Sequence, residues 1–137
     1  MIYSPTAQHA LRALIYLAQR QDDGIPVRVS EIARAEKIPR QFLSKIMHDL
    51  RHKGLVVATK GPGGGFALAR SSGQIALGNI VEAIDGVQDL NTRCILGLPR
   101  CSEHSPCPLH PHWKNIRERF NATIGAMTLK EAADTLK

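Results

Sequence analysis

The chain has 137 residues, with 18 Lys or Arg against 12 Asp or Glu, and a formal charge of +6 with neutral histidines. That length suits one domain with an appendage and is enough to bury a real core. No apolar run could span a bilayer, and residues 1–5 lack the basic segment and apolar run of a secretory signal, so a cytoplasmic location with reduced thiols is expected. The charge is not spread evenly. Positions 28–70 hold nine Lys or Arg and three Asp or Glu, a local +6, while the remaining residues carry nine of each sign. A basic excess confined to one segment is the expected footprint of a nucleic-acid binder, although a solvated salt-laced surface would share it.

In chain order, Ser4-Pro5 predicts a first helix with Ser4 as N-cap and Pro5 at the first helical position. Ala10, Leu11, Leu14, Leu17 and Ala18 give it one apolar stripe, and Gln21-Asp22-Asp23-Gly24 should stop it. Positions 24–29 suit an extended connector. A short helix follows from Ser30, read as its cap, to Glu36, with Ile32 and Ala33 inward; Lys37-Ile38-Pro39 breaks it, because a residue before proline avoids the α region. The next helix, from about Pro39 to Lys53, should turn Phe42, Leu43, Ile46, Met47 and Leu50 inward. Arg40, Gln41, Ser44, Lys45, His48, Arg51 and His52 should face out. Two helices joined by so short a turn, the second basic outside, form the helix-turn-helix pattern. Arg40, Gln41, Ser44 and Lys45 stand where such proteins touch base edges and phosphates. A plain helical hairpin would share the periodicity but not that polar start.

Gly54 should cap the helix C-terminus. Leu55 to Thr59 and Phe66 to Ala69 are β-rich runs joined by Lys60-Gly61-Pro62-Gly63-Gly64-Gly65, a hairpin with a glycine-rich tip. No Gly-Lys-Ser/Thr follows, so this is not a phosphate loop of an NTPase. It suits a wing: Gly61 and Gly63 would let backbone approach DNA, and Lys60 and Arg70 would supply charge. Leu77 to Ile84 predicts another helix, closed by Asp85-Gly86. Near the C-terminus, Pro111 should open a long helix on which Trp113, Ile116, Phe120, Thr123 and Met127 recur every three or four residues. That stripe suits a partner helix, or else the chain's own core. Thr128-Leu129-Lys130-Glu131 is a capping box for a last short helix.

Cys94, Cys101 and Cys107, the only cysteines, lie in one short stretch with His104, His110 and His112. Three thiols in a reduced compartment do not make a disulfide framework. Six and five residues intervene between successive cysteines, and Cys107-Pro-Leu-His110 is a short Cys-x-x-His pair. From spacing alone an iron–sulfur cluster, a zinc ion and a bare redox thiol all remain open.

Taken together, the chain resembles the IscR/NsrR family of bacterial winged-helix transcription regulators over nearly its whole length. The matching stretches are Ala10-Leu11-Arg12-Ala13-Leu14, Ser30-Glu31-Ile32-Ala33, Phe42-Leu43-Ser44-Lys45-Ile46, Lys60 through Ala69, and Leu77 through Gly86. The resemblance implies that Cys94, Cys101 and Cys107 hold an iron–sulfur cluster. Cys107-Pro-Leu-His110-x-x-Trp113 is similar to the branch in which that histidine is the fourth ligand of a [2Fe–2S] cluster. Gln8 stands where the nitric-oxide-sensing branch has an aspartate ligand, so [2Fe–2S] is favoured over [4Fe–4S].

The expected fold is mostly α with a small β-hairpin: a winged helix-turn-helix domain at 1–90, a cluster-binding loop at 91–110, and a dimerisation helix with a C-terminal short helix at 111–137. The expected function is a transcriptional regulator, a repressor rather than an enzyme, whose operator binding depends on the cluster. Its partners would be double-stranded DNA and a second copy of itself through Trp113, Ile116, Phe120 and Met127, with no membrane and no small-molecule substrate. The alternative is a cluster-free regulator, switched by thiols or stabilised by zinc.

Overall fold

The fold begins at Ser4, whose hydroxyl accepts from the Ala7 amide at 3.0 Å while Pro5 pre-sets the first helical φ, so α1 runs Pro5–Gln19. The structure, a computed structural model, describes residues 2–20, 25–86, 94–98 and 102–136. The expected stop at 21–24 lies outside them. Ala7, Ala10, Ala13, Leu14 and Leu17 are buried along α1, with Leu11 and Ala18 half-buried at its margins. The buried face is richer in alanine than the predicted stripe, which lets neighbouring helices come close.

α2 (Val29–Glu36) buries Ile32 and Ala33. It starts one residue before Ser30, with Arg28 at the N-cap and no side-chain cap. The cause is long-range. Val27 and Phe66 exchange two backbone hydrogen bonds of 2.8 Å, which holds the chain extended up to Arg28 and lets the helix begin immediately after it. Lys37 takes a left-handed conformation (φ 56°), Ile38 plugs the core, and Pro39 caps α3 (Arg40–His52). Leu43, Ile46, Met47 and Leu50 are buried as expected, but Phe42 is 64% exposed. Phe42 sits at the edge of the apolar stripe and lines a recess of about 500 Å³ with Pro5, Thr6, His9 and Ile84 instead of entering the core. Gly54 at φ 77° closes the helix, with its amide donating to the Arg51 carbonyl.

β1 (Val56–Thr59) and β2 (Gly65–Leu68) pair antiparallel, with Val56 opposite Leu68 and Thr59 opposite Gly65. The bridge from Phe66 to Val27 adds a third, one-residue rung. A 3₁₀ turn (Ser72–Gln74) leads to α4 (Leu77–Asp85), which buries Ile80 and Val81. The Asp85 carboxylate accepts from the Ser4 amide at 2.8 Å and from the Ser4 hydroxyl, tying the start of α1 to the end of α4.

α5 (His110–Ala126) carries Pro111 in its first turn, as expected. Its far end lies against α4 so closely that a Cβ on Gly78 would sit 3.4 Å from the Gly125 Cα. α6 (Leu129–Thr135) opens with the expected capping box: the Glu131 amide donates to the Thr128 hydroxyl at 3.1 Å. It then packs back on α1 through fully buried Leu129 and through Ala133. The main-chain links Leu77 N–H to Met127 O (2.9 Å) and Leu129 N–H to Ile75 O (2.8 Å) pin its start to the approach to α4. The core cluster thus draws on α1, α2, α3, α4 and α6 together.

Candidate DNA-reading face and cysteine loop

α2, the three-residue turn and α3 form the helix-turn-helix, and packing of α3 through Leu43, Ile46, Met47 and Leu50 turns its opposite side to solvent. Arg40, Gln41, Ser44 and Lys45 are all exposed there. Lys60, Gly61 and Gly63 are exposed at the tip of the β1–β2 wing beside it. Gly61 has φ 97°, a value that favours glycine.

The three acidic residues of the basic segment are disposed unequally. Glu31 pairs with Arg20 at 2.7 Å and Glu36 with Arg12 at 3.2 Å, so two of the three are met by arginines, one on α1 and one capping its C-terminus. Tyr16 donates to Glu31 at 2.5 Å, and that hydrogen bond, helped by burial and the carboxylate's charge, raises the phenol above its ordinary pKa. Asp49 is left as the one acidic residue of α3. The positive charge of the segment is thereby concentrated on the exposed side of α3 and the wing.

One contributor was not legible in sequence. The Arg28 guanidinium donates to the Pro62 carbonyl at the wing tip, stapling the tip to the base of α2. Its placement depends on the Val27–Phe66 bridge, which no local pattern announces.

The cysteine loop comes together in part. Cys94 and Cys107 are buried with their sulfurs 3.9 Å apart. His110 is also buried, and its amide donates to the Cys107 carbonyl at 3.0 Å as α5 begins. Cys101 lies outside the described residues. Among the described residues no three His, Cys, Asp or Glu converge on one point. The pair nevertheless fits a metal centre. Two thiolates on one tetrahedral ion with bonds of about 2.3 Å stand about 3.8 Å apart, far wider than the ~2.05 Å of a disulfide.

Glu103 and Lys114 join this site without having been singled out in the sequence. The Glu103 carboxylate lies 2.6 Å from the Lys114 ammonium and 3.6 Å from His110 Nε2. Lys114 holds Glu103 below the usual carboxylate range, and Glu103 raises Lys114 in return. Lys114 stands four residues after His110 on α5, which was the available signal.

The expected seam on α5 divides. Trp113 is buried within the chain, and Phe120 is half-buried and stacked on Tyr3 with ring centroids 5.8 Å apart. Ile116 (54%), Thr123 and Met127 (38%) remain exposed.

A helix-turn-helix with its outer face left open and basic, flanked by a hairpin wing, defines a winged-helix DNA-binding transcriptional regulator and not an enzyme. The comparisons narrow this class. The chain belongs to the Rrf2 family, described as iron-dependent transcriptional regulators, whose pattern it matches over residues 3–135. It is similar to a candidate HTH-type transcriptional regulator of Aquifex aeolicus, 38% identical across 96% of this chain and 90% of that protein. It is also similar to the HTH-type transcriptional regulator IscR of Cronobacter sakazakii, 32% identical across 90% of this chain and 75% of the relative. In fold it matches CymR, the global cysteine regulator of B. subtilis, with a TM-score of 0.80 at 22% identity, covering 96% of this chain and 95% of that one. IscR of T. potens matches at 0.77 and 22% identity, covering 98% and 87%. Among the described residues no helix is long and apolar enough to cross a membrane.

Proposed function

We propose that this chain is a cytoplasmic homodimeric repressor whose operator affinity is set by an iron–sulfur cluster, [2Fe–2S] in preference to [4Fe–4S], on Cys94, Cys101, Cys107 and His110. The observation that carries it is the buried Cys94–Cys107 pair, 3.9 Å apart at the root of α5, with buried His110 one helical turn away. The proposed domain limits remain 1–90, 91–110 and 111–137.

When bound, the cluster supplies a redox-sensitive and chemically labile joint between the ends of the loop. The chain's own residues do the rest. Arg40 and Gln41 reach base edges, Ser44 and Lys45 meet bases or phosphates, and Lys60, Gly61 and Gly63 bring the wing to the adjacent backbone or minor groove. Ile116, Thr123 and Met127 offer α5 to a second copy, with Trp113 and Phe120 bracing the helix from within. Cys107 and His110 sit at the N-terminal end of α5, and Gly125 at its other end lies against α4. A change in how the loop is held therefore tilts α5 and alters the separation of two recognition helices. Half-sites are read about 34–36 Å apart, or at multiples of that, so both halves are penalised together.

A second reading, a thiol switch without a cluster, is favoured by the same sulfur pair, because closing 3.9 Å to a disulfide is a local movement. Anaerobic purification separates the two. A cluster protein absorbs in the visible and yields iron and sulfide, and Cys101→Ala abolishes that absorbance. Holo and apo protein titrated on one operator at fixed salt should differ by roughly 5–150-fold in affinity, a coupling of about 1–3 kcal/mol. Equal affinities on every operator tried would reduce the cluster to a structural fixture. A colourless protein whose DNA affinity changes with oxidation would establish the thiol switch.

A further inference from the structure

Gln41, Lys45, His48 and His52 follow one another on α3 at intervals of four, three and four residues, which sets them on one stripe opposite the buried Leu43, Ile46, Met47 and Leu50. The DNA reading uses the first two. The histidines form a unit of their own. Both are exposed, their rings stand nearly perpendicular at 84°, and the two Nε2 atoms are 3.0 Å apart.

We propose that His48 and His52 form a divalent transition-metal site on the outer face of α3, suited to Ni²⁺ or Cu²⁺ bound through two adjacent imidazole nitrogens. One helical turn separates the residues, so the backbone itself places the rings side by side. Metal–nitrogen bonds of about 2.0–2.1 Å across a 3.0 Å gap subtend roughly 91–97° at the ion. That is the angle between neighbouring positions of a square or octahedral complex. A tetrahedral ion at about 109° would need the nitrogens roughly 0.3 Å further apart, so Cu²⁺ and Ni²⁺ fit better than Zn²⁺. Without metal, a 3.0 Å Nε2–Nε2 contact between neutral rings is one N–H···N hydrogen bond, which requires opposite tautomers. Metal binding moves the donor ring's proton to its own Nδ1, where an exposed side chain meets water, and frees both Nε2 lone pairs for the ion. No net proton is gained or lost. The pair lies in the C-terminal half of α3, where the helix dipole favours a cation. An ion there would stand on the same stripe as Gln41 and Lys45, with its remaining positions open to water or to a DNA oxygen. The site is independent of the cysteine loop and stands whichever reading of that loop holds.

The test uses the full chain with its thiols alkylated, so that the cysteine loop takes no metal, titrated calorimetrically with Ni²⁺–nitrilotriacetate, a complex with two adjacent open positions and a net negative charge. One complex should bind per chain. His48→Ala and His52→Ala should each weaken it by roughly tenfold or more, because the second imidazole of a chelating pair binds intramolecularly. His112→Ala, which removes another exposed histidine, should leave it unchanged. Both test residues are exposed, so helical circular dichroism should match the wild type. Absence of binding, wild-type affinity in His48→Ala or His52→Ala, or an equal loss in His112→Ala would overturn the proposal.

Discussion

Gly65→Ala is the sharpest test of how the wing is held. Gly65 has φ 152°, and a Cβ there would stand 2.5 Å from the carbonyl carbon and oxygen of Val27, atoms of rigid backbone. Either β2 backs away from Val27 or the chain between Val27 and α2 is displaced. Backing away breaks both 2.8 Å hydrogen bonds between Val27 and Phe66, worth about 0.5–1.5 kcal/mol each. The conformation itself costs a non-glycine residue about 1–3 kcal/mol more. The expected loss is therefore about 2–6 kcal/mol, and with a urea m-value of about 2 kcal/mol/M the unfolding midpoint should fall by roughly 1–3 M. Gly63→Ala is the control: its Cβ would meet open space, and its φ is not in the strained range, so it should be neutral or gain up to about 1 kcal/mol. Urea unfolding followed by far-UV circular dichroism reads both. Operator binding by Gly65→Ala should also weaken, because the Arg28 contact to Pro62 depends on the same register. A Gly65→Ala midpoint equal to that of Gly63→Ala would refute the reasoning, and with it the idea that Val27 anchors the wing.

Arg40→Ala should cost roughly 1–3 kcal/mol of operator affinity and relax sequence preference, whereas Lys60→Ala should weaken all sequences alike and lower the salt slope by about 1; uniform weakening by Arg40→Ala would reassign that residue to phosphate. Replacing Ile116 and Phe120 by glutamate should give monomers in sedimentation and abolish tight operator binding, with an added loss of stability from the Tyr3–Phe120 stack; persistent dimers would place the interface elsewhere. Glu103 should titrate below the ordinary glutamate range by NMR and return towards it in Lys114→Ala. Because its folded-state value is depressed, its small stabilising contribution is present above the unfolded value and disappears as pH falls through the folded one.

Local chemistry was readable wherever one short stretch decides the outcome. Ser4-Pro5, the Thr128–Glu131 box and Gly54 all act as their residue types require, and the buried face of α3 follows its spacing. The misses trace to distant contacts. Ser30 lost its capping position because Val27 pairs with Phe66 some forty positions away. Phe42 had the right spacing for burial, yet the space beneath it is a recess bounded by α1 and α4. The α5 stripe looked uniform, but Tyr3 covers Phe120 and leaves Ile116 and Met127 in water. At the cysteine loop the spacing identified the thiols, and folding brings Cys94, Cys107 and His110 to one end of α5. Glu103 and Lys114 were missed because lone exposed charges carry no pattern until a fold joins them.

The main-chain links between 75–77 and 127–129 act as a clasp. They close a circuit of about fifty residues, out along α4, through the cysteine loop and back down α5, and its two ends meet beside the core that positions the recognition helix. A circuit fastened at its neck can change length or ligands at its far end with little effect on the neck, since closure entropy grows only slowly with loop length. The core that holds the DNA-reading half is thereby insulated in stability from such changes. If the cysteine loop is the sensor proposed above, its chemistry could be exchanged by editing that one segment, with no need to rebuild the core that holds the reader.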